Sequence, residues 1–546
     1  MTAFVNENRI GSAAVTFRTA RPETNFVRFG SVAALLLVIV FFAFVRMHLR
    51  NMPLERDEGE FAYVGQLMLQ GIPPYKMACN MKLPGTYAAY AAIMAAFGET
   101  ASGIRVGLML VNIAATVLLF LLAKYLYGSL TGAVAGMTYS FLSCRPAVLG
   151  FYAHATHFVV LAALAGILLL LYAIDTRRTG LFLGSGLCLG LAFLMKQPGI
   201  LFAVFAGLYW LWREWKRPFP WRDAAIHGGA LFAGVALPFA LTCLILFRAG
   251  VFPSFWFWTW SYAREYGSLT TLPEVRSVLR AYLPWVIRPF VIWEIVAVGV
   301  SAPLWSRYSR TYGGFVTGFM LFSCLGVCPG FYFRPHYYIL VMPAAALGAG
   351  IAVSSVREIL LARRLGSLIV WFPVLYFTVA FVISARAEYK KYLHLDPVSL
   401  VRRVQEGQGF PEAVAVGSYI KMHSSEQDTI GLFGSEPEIC FYSHRHCASN
   451  YLYVYPLMEK QKFARQMQDE MMQQVRDAQP RFLVYVDDIH SWGTKAQLDE
   501  NRAFVETAWA YAQHNYELVD QVAVAGAPEH LWGDHAQLYI FRCIGP

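Results

Sequence analysis

Charge is scarce in this 546-residue chain: Asp, Glu, Lys and Arg together make up 15% of it, against 57% hydrophobic residues. That scarcity excludes an ordinary soluble enzyme, whose core needs far less apolar material at this length. Basic residues outnumber acidic ones, for a net charge of +10. They form no arginine-rich tract and no continuous face, so nucleic acid is excluded as a partner. There is no GxGxxG opening a helix and no Walker-type loop, so nothing points to a bound nucleotide. No small-residue cleavage site follows the first apolar run, Gly30 to Leu49, which lies behind Arg9, Arg18, Arg21 and Arg28. That run reads as an uncleaved span, not a signal peptide. Beyond about residue 385 long apolar runs stop altogether.

What the chain does have is a series of apolar runs, each matching the roughly 20 residues needed to cross a hydrocarbon layer. They lie at about 30–49, 102–126, 130–150, 154–174, 180–195, 198–213, 225–248, 286–305, 312–331, 335–355 and 367–385. The fold class expected is therefore mainly α: a polytopic bundle of about eleven spans with a small soluble α/β domain behind it. With a cytoplasmic N-terminal segment 1–29, alternate loops carry Arg177 and Arg178, then Arg213, Lys216, Arg217 and Arg222, then Arg307 and Arg310, then Arg357, Arg363 and Arg364. This is the basic bias expected of inside loops. The membrane domain then covers 30–389 with its first outer loop at 50–101, and 390–546 is extracytoplasmic. The expected location is the plasma (inner) membrane, as a multi-pass protein.

This topology gathers Asp57, Glu58, Glu60, Lys82, His154, His157, Lys196, Arg264, Arg334 and His336 at the outer ends of spans. Any one of them could snorkel to headgroups, but the one-sided bias of the set points to a site. In the first outer loop, Phe61, Val64, Leu67 and Met68 recur at helical spacing from Glu58 to Gln70, with Gly71 as a stop. A short helix lying on the membrane is expected there, and a second from Thr86 to Phe97 after the Lys82-Leu83-Pro84-Gly85 turn. Carboxylates opening a helix have a capping role. Asp57, directly after a span and followed by a cation on the same loop, fits proton transfer beside an anionic headgroup as well.

Arg56-Asp57-Glu58-Gly59-Glu60-Phe61-Ala62-Tyr63, Gly71-Ile72-Pro73-Pro74-Tyr75 and Lys82-Leu83-Pro84-Gly85-Thr86-Tyr87 resemble the first outer loop of the GT-C glycosyltransferases. The groups most similar are the protein O-mannosyltransferases, the lipid A aminoarabinose transferases and lipopolysaccharide-core galacturonosyltransferases. Leu194-Met195-Lys196-Gln197-Pro198-Gly199 and Phe333-Arg334-Pro335-His336-Tyr337-Tyr338 are similar to further segments of the bacterial members. The resemblance implies a glycosyltransferase using a polyprenyl-phosphate sugar donor among membrane lipids, with a lipid, glycan or protein acceptor outside the membrane. Carried over, Asp57 is the catalytic base with Glu58 beside it, and Lys82, Arg334 and His336 hold the donor phosphate. Tyr63, Tyr87, His154, His157, Lys196, Trp260 and Arg264 become substrate contacts. Many relatives place an acid in the next outer loop, where it helps bind a divalent metal. Here that loop reads Phe151-Tyr152-Ala153-His154-Ala155-Thr156-His157, without an acid. A hard cation prefers oxygen ligands, so transfer without a metal cofactor is expected.

The aromatic stretch Phe255 to Tyr262 reads as an interfacial belt. In the tail, runs at Asp428 to Phe433, Phe482 to Val486 and Gln537 to Phe541 read as strands, and Leu457 to Asp477 and Gln497 to Tyr511 as helical. Glu436, Glu438, Asp487, Asp488 and His490 read as solvated loop charges, and Cys440 and Cys447 can pair if the tail lies outside the cytoplasm. The competing reading is a secondary transporter, which predicts inverted repeats and charges near midplane. The sequence shows neither.

Overall fold

The computed structural model describes residues 23–216, 221–268, 270, 272–390, 392–526, 531 and 536–544. Among these, six helices are long and apolar enough to cross a membrane: α1 (Asn25–His48), α4 (Ala101–Tyr127), α6 (Ala155–Thr176), α9 (Trp221–Arg248), α13 (Met342–Ala362) and α14 (Ser367–Tyr389). Between them run the first-loop helices α2 (Arg56–Leu69) and α3 (Gly85–Phe97), then α5 (Ser129–Leu142), α7 (Thr179–Met195) and α8 (Ile200–Trp215). The helices α10 (Leu272–Val286), α11 (Phe290–Trp305) and α12 (Gly313–Leu325) complete the bundle. The pair α10 and α11 forms a seventh candidate span, bent by 99° at its break. The molecule is thus a multi-pass membrane protein.

The apolar runs and the helices part company at prolines, which supply no N–H and disfavour the helix before them. The run 130–150 is helical only to Leu142 and re-forms as a short turn at Pro146. The run 286–305 starts its helix after Pro289, and 335–355 opens with a tight helical turn, Pro335–Leu340, before α13 begins.

The tail contributes α15 (Phe410–His423), β1 (Thr429–Phe433), α16 (Glu438–Ser443), β2 (His446–Cys447), α17 (Ala464–Ala478), β3 (Phe482–Asp487), α18 (Arg502–Asn515), β4 (Tyr516–Ala523) and β5 (Gln537–Cys543). They build a five-stranded sheet in the order β2-β1-β3-β5-β4. The first three strands are parallel, while β5 runs antiparallel to both β3 and β4. Every residue of β3 is buried, as a central strand covered on both faces requires. A disulfide joins Cys440 to Cys447.

The first of the two helices expected to lie on the membrane, α2, is enclosed by protein instead. Every residue of α2 from Glu58 to Leu67 is buried, because the tail covers it. Leu54 N–H donates to the Tyr442 hydroxyl and Cys447 N–H to that of Tyr63, both at 2.8 Å. A Cβ on Gly59 would lie 2.6 Å from Glu438, so only glycine lets α2 and α16 approach this closely. A bridge between Cys79 and Tyr451 ties the loop to the tail a second time.

Candidate functional site

The site starts from the N-terminus of α2. Glu55 caps it, accepting from Glu58 N–H at 3.0 Å, while the Glu58 carboxylate accepts from Glu55 N–H at 3.3 Å. This capping box fixes the helix immediately after α1 and sets Asp57 at its first turn. Helical residues three apart share a face and adjacent ones do not, so Asp57 and Glu60 point together and Glu58 points elsewhere. Lys82, on the turn before α3, donates to both: 2.8 Å to Asp57 Oδ1 and 2.6 Å to Glu60 Oε2. Glu60 is fixed in turn by the Tyr87 hydroxyl and, at 2.9 Å, by Asn80 Nδ2. The Lys82 ammonium lies 4.5 Å from the centroid of the Phe61 ring and 5.4 Å from that of Tyr453.

Two histidines close the other side. His154 precedes α6 and His336 lies in the turn before α13; their rings stack with centroids 4.0 Å apart. His154 Nδ1 lies 3.9 Å from Asp57 Oδ2. Burial lowers the His154 pKa to about 3, so this ring is neutral at physiological pH. Burial alone would raise the Asp57 carboxyl, but the Lys82 ammonium outweighs it and holds the group well below the usual carboxylate range. Arg334 is exposed, with its Nη2 3.5 Å from the Tyr266 hydroxyl and its guanidinium over the Tyr332 ring. Lys196 follows α7, its ammonium 3.9 Å from the centroid of Tyr337.

Asp57, His154 and His336 each bring one donor atom to within 4.8 Å of the others, and neither His154 nitrogen has a hydrogen-bond partner. Two imidazoles and one carboxylate fit a borderline ion such as zinc, and fit magnesium or manganese poorly.

The other residues singled out from sequence lie elsewhere. Glu58, expected beside Asp57 in the reacting pair, is fully buried and ion-paired with Arg105, and it also accepts from Ala153 N–H. Tyr63 binds the tail backbone and Tyr87 holds Glu60. His157 is buried one turn further into α6. Trp260 is exposed and stacks on Trp256, and Arg264 is exposed. The aromatic stretch therefore splits: Trp256 and Trp260 face outward as a belt does, whereas Trp258 and Tyr262 are buried against Tyr451 and Glu459 of the tail.

Tail residues reach the site, which sequence reasoning missed. Arg56, next to Asp57, donates to Ser435 O at 2.6 Å and to Glu436 Oε1 at 3.0 Å. Tyr453 donates to Arg56 O at 3.0 Å. Glu436, Glu438, Asp487 and Asp488 are buried, so the solvated reading of these four charges is corrected. Glu436 and Glu438 follow the end of β1, and Asp487 and Asp488 close β3, where the chain packs inward. Glu60 was legible in principle, by its spacing of three from Asp57. Nothing in the sequence pairs position 56 with position 436.

Residues 82–245 match the family model for dolichyl-phosphate-mannose-protein mannosyltransferase. No protein of curated function matches the chain. Across 95% of its length it superposes on 99% of ArnT from Cupriavidus metallidurans bound to undecaprenyl phosphate, with a TM-score of 0.59 at 16% identity. The fold is that of the GT-C glycosyltransferases. Two further GT-C structures agree. The archaeal oligosaccharyltransferase AglB from Archaeoglobus fulgidus, in complex with an inhibitory peptide and a dolichol-phosphate, matches with a TM-score of 0.53 at 11% identity, over 94% of this chain and 75% of that one. The arabinofuranosyltransferase AftD from Mycobacteria gives 0.53 at 13% identity, over 95% of this chain and 40% of that one. The cluster around Asp57 lies at the helix ends covered by the tail.

Proposed function

We propose that this protein transfers a sugar from a polyprenyl-phosphate donor to an acceptor on the outer face of the plasma (inner) membrane. The single observation that carries the reading is one carboxylate, Asp57, in contact with the Lys82 cation and near two more, Lys196 and Arg334, at the membrane edge. A lipid-anchored phosphate arrives in such a place laterally while the acceptor arrives from water. The basic inside loops support this orientation, as does the Cys440–Cys447 disulfide, which persists in oxidising compartments. The acceptor is a component of the cell envelope: lipid, glycan or protein.

Lys82 and Arg334 hold the donor phosphate, with His336 beside them as a neutral donor. Asp57 accepts the proton of the acceptor hydroxyl or amine as that group attacks the anomeric carbon, and the sugar–oxygen bond to phosphate breaks with inversion. In the free site Asp57 is a weak base because Lys82 holds it ionised. Phosphate draws the Lys82 ammonium partly away, which raises the basicity of Asp57 when a donor is present. Glu60 keeps its own bond to Lys82 as the ammonium turns from Asp57 toward the phosphate. A zinc-like ion at Asp57, His154 and His336 would add positive charge facing the phosphate. Three cations already supply that charge, and transfer is proposed to proceed without an added metal.

The test is transfer from radiolabelled polyprenyl-phosphate sugars to envelope acceptors in membranes. Asp57→Asn is expected to lower turnover by about 10²–10⁴-fold, and Lys82→Ala to lower both turnover and donor affinity. Activity is expected to survive chelation. Undiminished transfer by Asp57→Asn would remove the proposed base, and loss on chelation with recovery by zinc would replace the metal-free step. No transfer from any donor would favour transport.

A further inference from the structure

Charge in the cleft does not balance with Lys82 alone. Asp57 and Glu60 both bind Lys82, leaving that trio at −1. Arg334 adds one positive charge and Lys196 a second once it is protonated, and among the described residues neither has a carboxylate at ion-pair distance. With the histidines and Lys196 neutral the sum is zero, and protonation of Lys196 supplies one further positive charge for a ligand that brings an added negative one. Transfer changes the phosphate itself. When the sugar leaves, the diester monoanion becomes a monoester whose second pKa lies near 6, so a further negative charge appears on the leaving oxygen.

Lys196 is built into the same place. The turn that carries it is pinned on both flanks to the Lys82 turn: Gln197 Nε2 donates to Met81 O at 2.7 Å and the Thr86 hydroxyl to Met195 O at 2.8 Å. A Cβ at Gly85 would meet Leu194 O at 2.5 Å, so glycine permits the two turns to touch. The Lys196 ammonium lies on the Tyr337 ring, and Tyr337 N–H donates to Arg334 O at 2.9 Å. One lysine is thereby set between the Lys82 turn and the Arg334 turn.

We propose that Lys196 receives the second negative charge of the departing phosphate, contacting the oxygen released from the anomeric carbon while Lys82 and Arg334 hold the other oxygens. This rests on the polyprenyl-phosphate reading above. In the step, the acceptor–carbon bond forms as the carbon–oxygen bond to phosphate breaks. The acceptor proton passes to Asp57, and the electron pair of the broken bond stays on the phosphate oxygen that faces Lys196. Burial and the neighbouring cations bring the Lys196 pKa down to about 7 in the free cleft. Its charge is thus costly until an anion arrives, which favours the monoester over the diester.

The experiment uses the full chain in phosphatidylcholine nanodiscs at pH 7.5 and measures binding of two short-chain lipids, a polyprenyl phosphate and its methyl diester. Wild type is expected to bind the monoester about 10- to 100-fold more tightly, the contribution of one charge-assisted hydrogen bond. Lys196→Met and Lys196→Gln are expected to lose that preference while binding the diester within about twofold of wild type, which also shows that they are folded. Lys196→Arg is expected to restore it. In turnover, kcat falls in the neutral variants with donor KM little changed. A preference retained in Lys196→Met, or equal weakening of both lipids, overturns the assignment. Wild type binding both lipids equally overturns it too, whereas wild type binding neither overturns the donor reading itself.

Discussion

At Glu58 the sequence invites one role and the geometry dictates another. Asp57-Glu58 reads as a reacting pair because the two acids are adjacent. On a helix adjacency separates them by about 100°, and the partner on the same face is three residues along. Glu60 therefore shares Lys82 with Asp57, and Glu58 turns inward to Arg105. Removing one member of so buried a pair leaves an isolated charge, so Glu58→Ala is expected to destabilise the protein by about 3–5 kcal/mol. Thermal unfolding in detergent checks this, and transfer per folded molecule is expected to stay within a few-fold of wild type. That Lys82 lies beside Asp57 was legible from the sequence because both sit on one loop. The stacking of His154 on His336 was not, since about 180 residues of chain separate them.

At the element scale, α2 derives its position from the tail as much as from its own capping box. Arg56 is gripped by Glu436 and Ser435, and Glu436 is held by the Ser491 hydroxyl at 2.7 Å. Glu436→Ala is expected to let the first turn of α2 shift, lowering kcat about 10-fold or more as positioning losses do. Glu436→Asp is expected to recover part of it, and unchanged donor binding separates this outcome from unfolding. The long apolar helices and central strands were readable because burial on all sides leaves a continuous hydrophobic run. The outer edge strand β4 was not, since most of its side chains face water and mix charged with apolar types. The tail's cover over α2 was equally hidden: both surfaces look amphipathic in sequence, and a membrane would bury such a face as well.

At the scale of the whole molecule, the junction between tail and loop holds a titratable weak point. Both carboxylate oxygens of Glu438 are buried without a hydrogen-bond partner, and burial followed by repulsion from Glu436 raises its pKa well above the ordinary value. An acid whose folded pKa is raised stabilises the fold below its unfolded pKa and ceases to do so as pH climbs through the folded value. Glu438→Gln, which mimics the protonated form, is expected to melt above wild type at pH 8 and close to it at pH 5. Melting curves at the two pH values check the sign, and a constant difference would place the effect in packing instead.

The bond between Arg56 and Glu436 joins residues 380 positions apart, and this has a bearing on biosynthesis. Ribosomes add about 5–20 residues per second, so roughly 20–75 seconds pass between synthesis of the two partners. Throughout that interval the spans can enter the bilayer, but the loop carrying Asp57 has no lid. The pairing of Arg56 with Glu436 forms only once the tail has been made and has folded onto this loop. On the proposed function, a chain that lacks its tail is expected to transfer no sugar, because nothing then holds Arg56 and the first turn of α2.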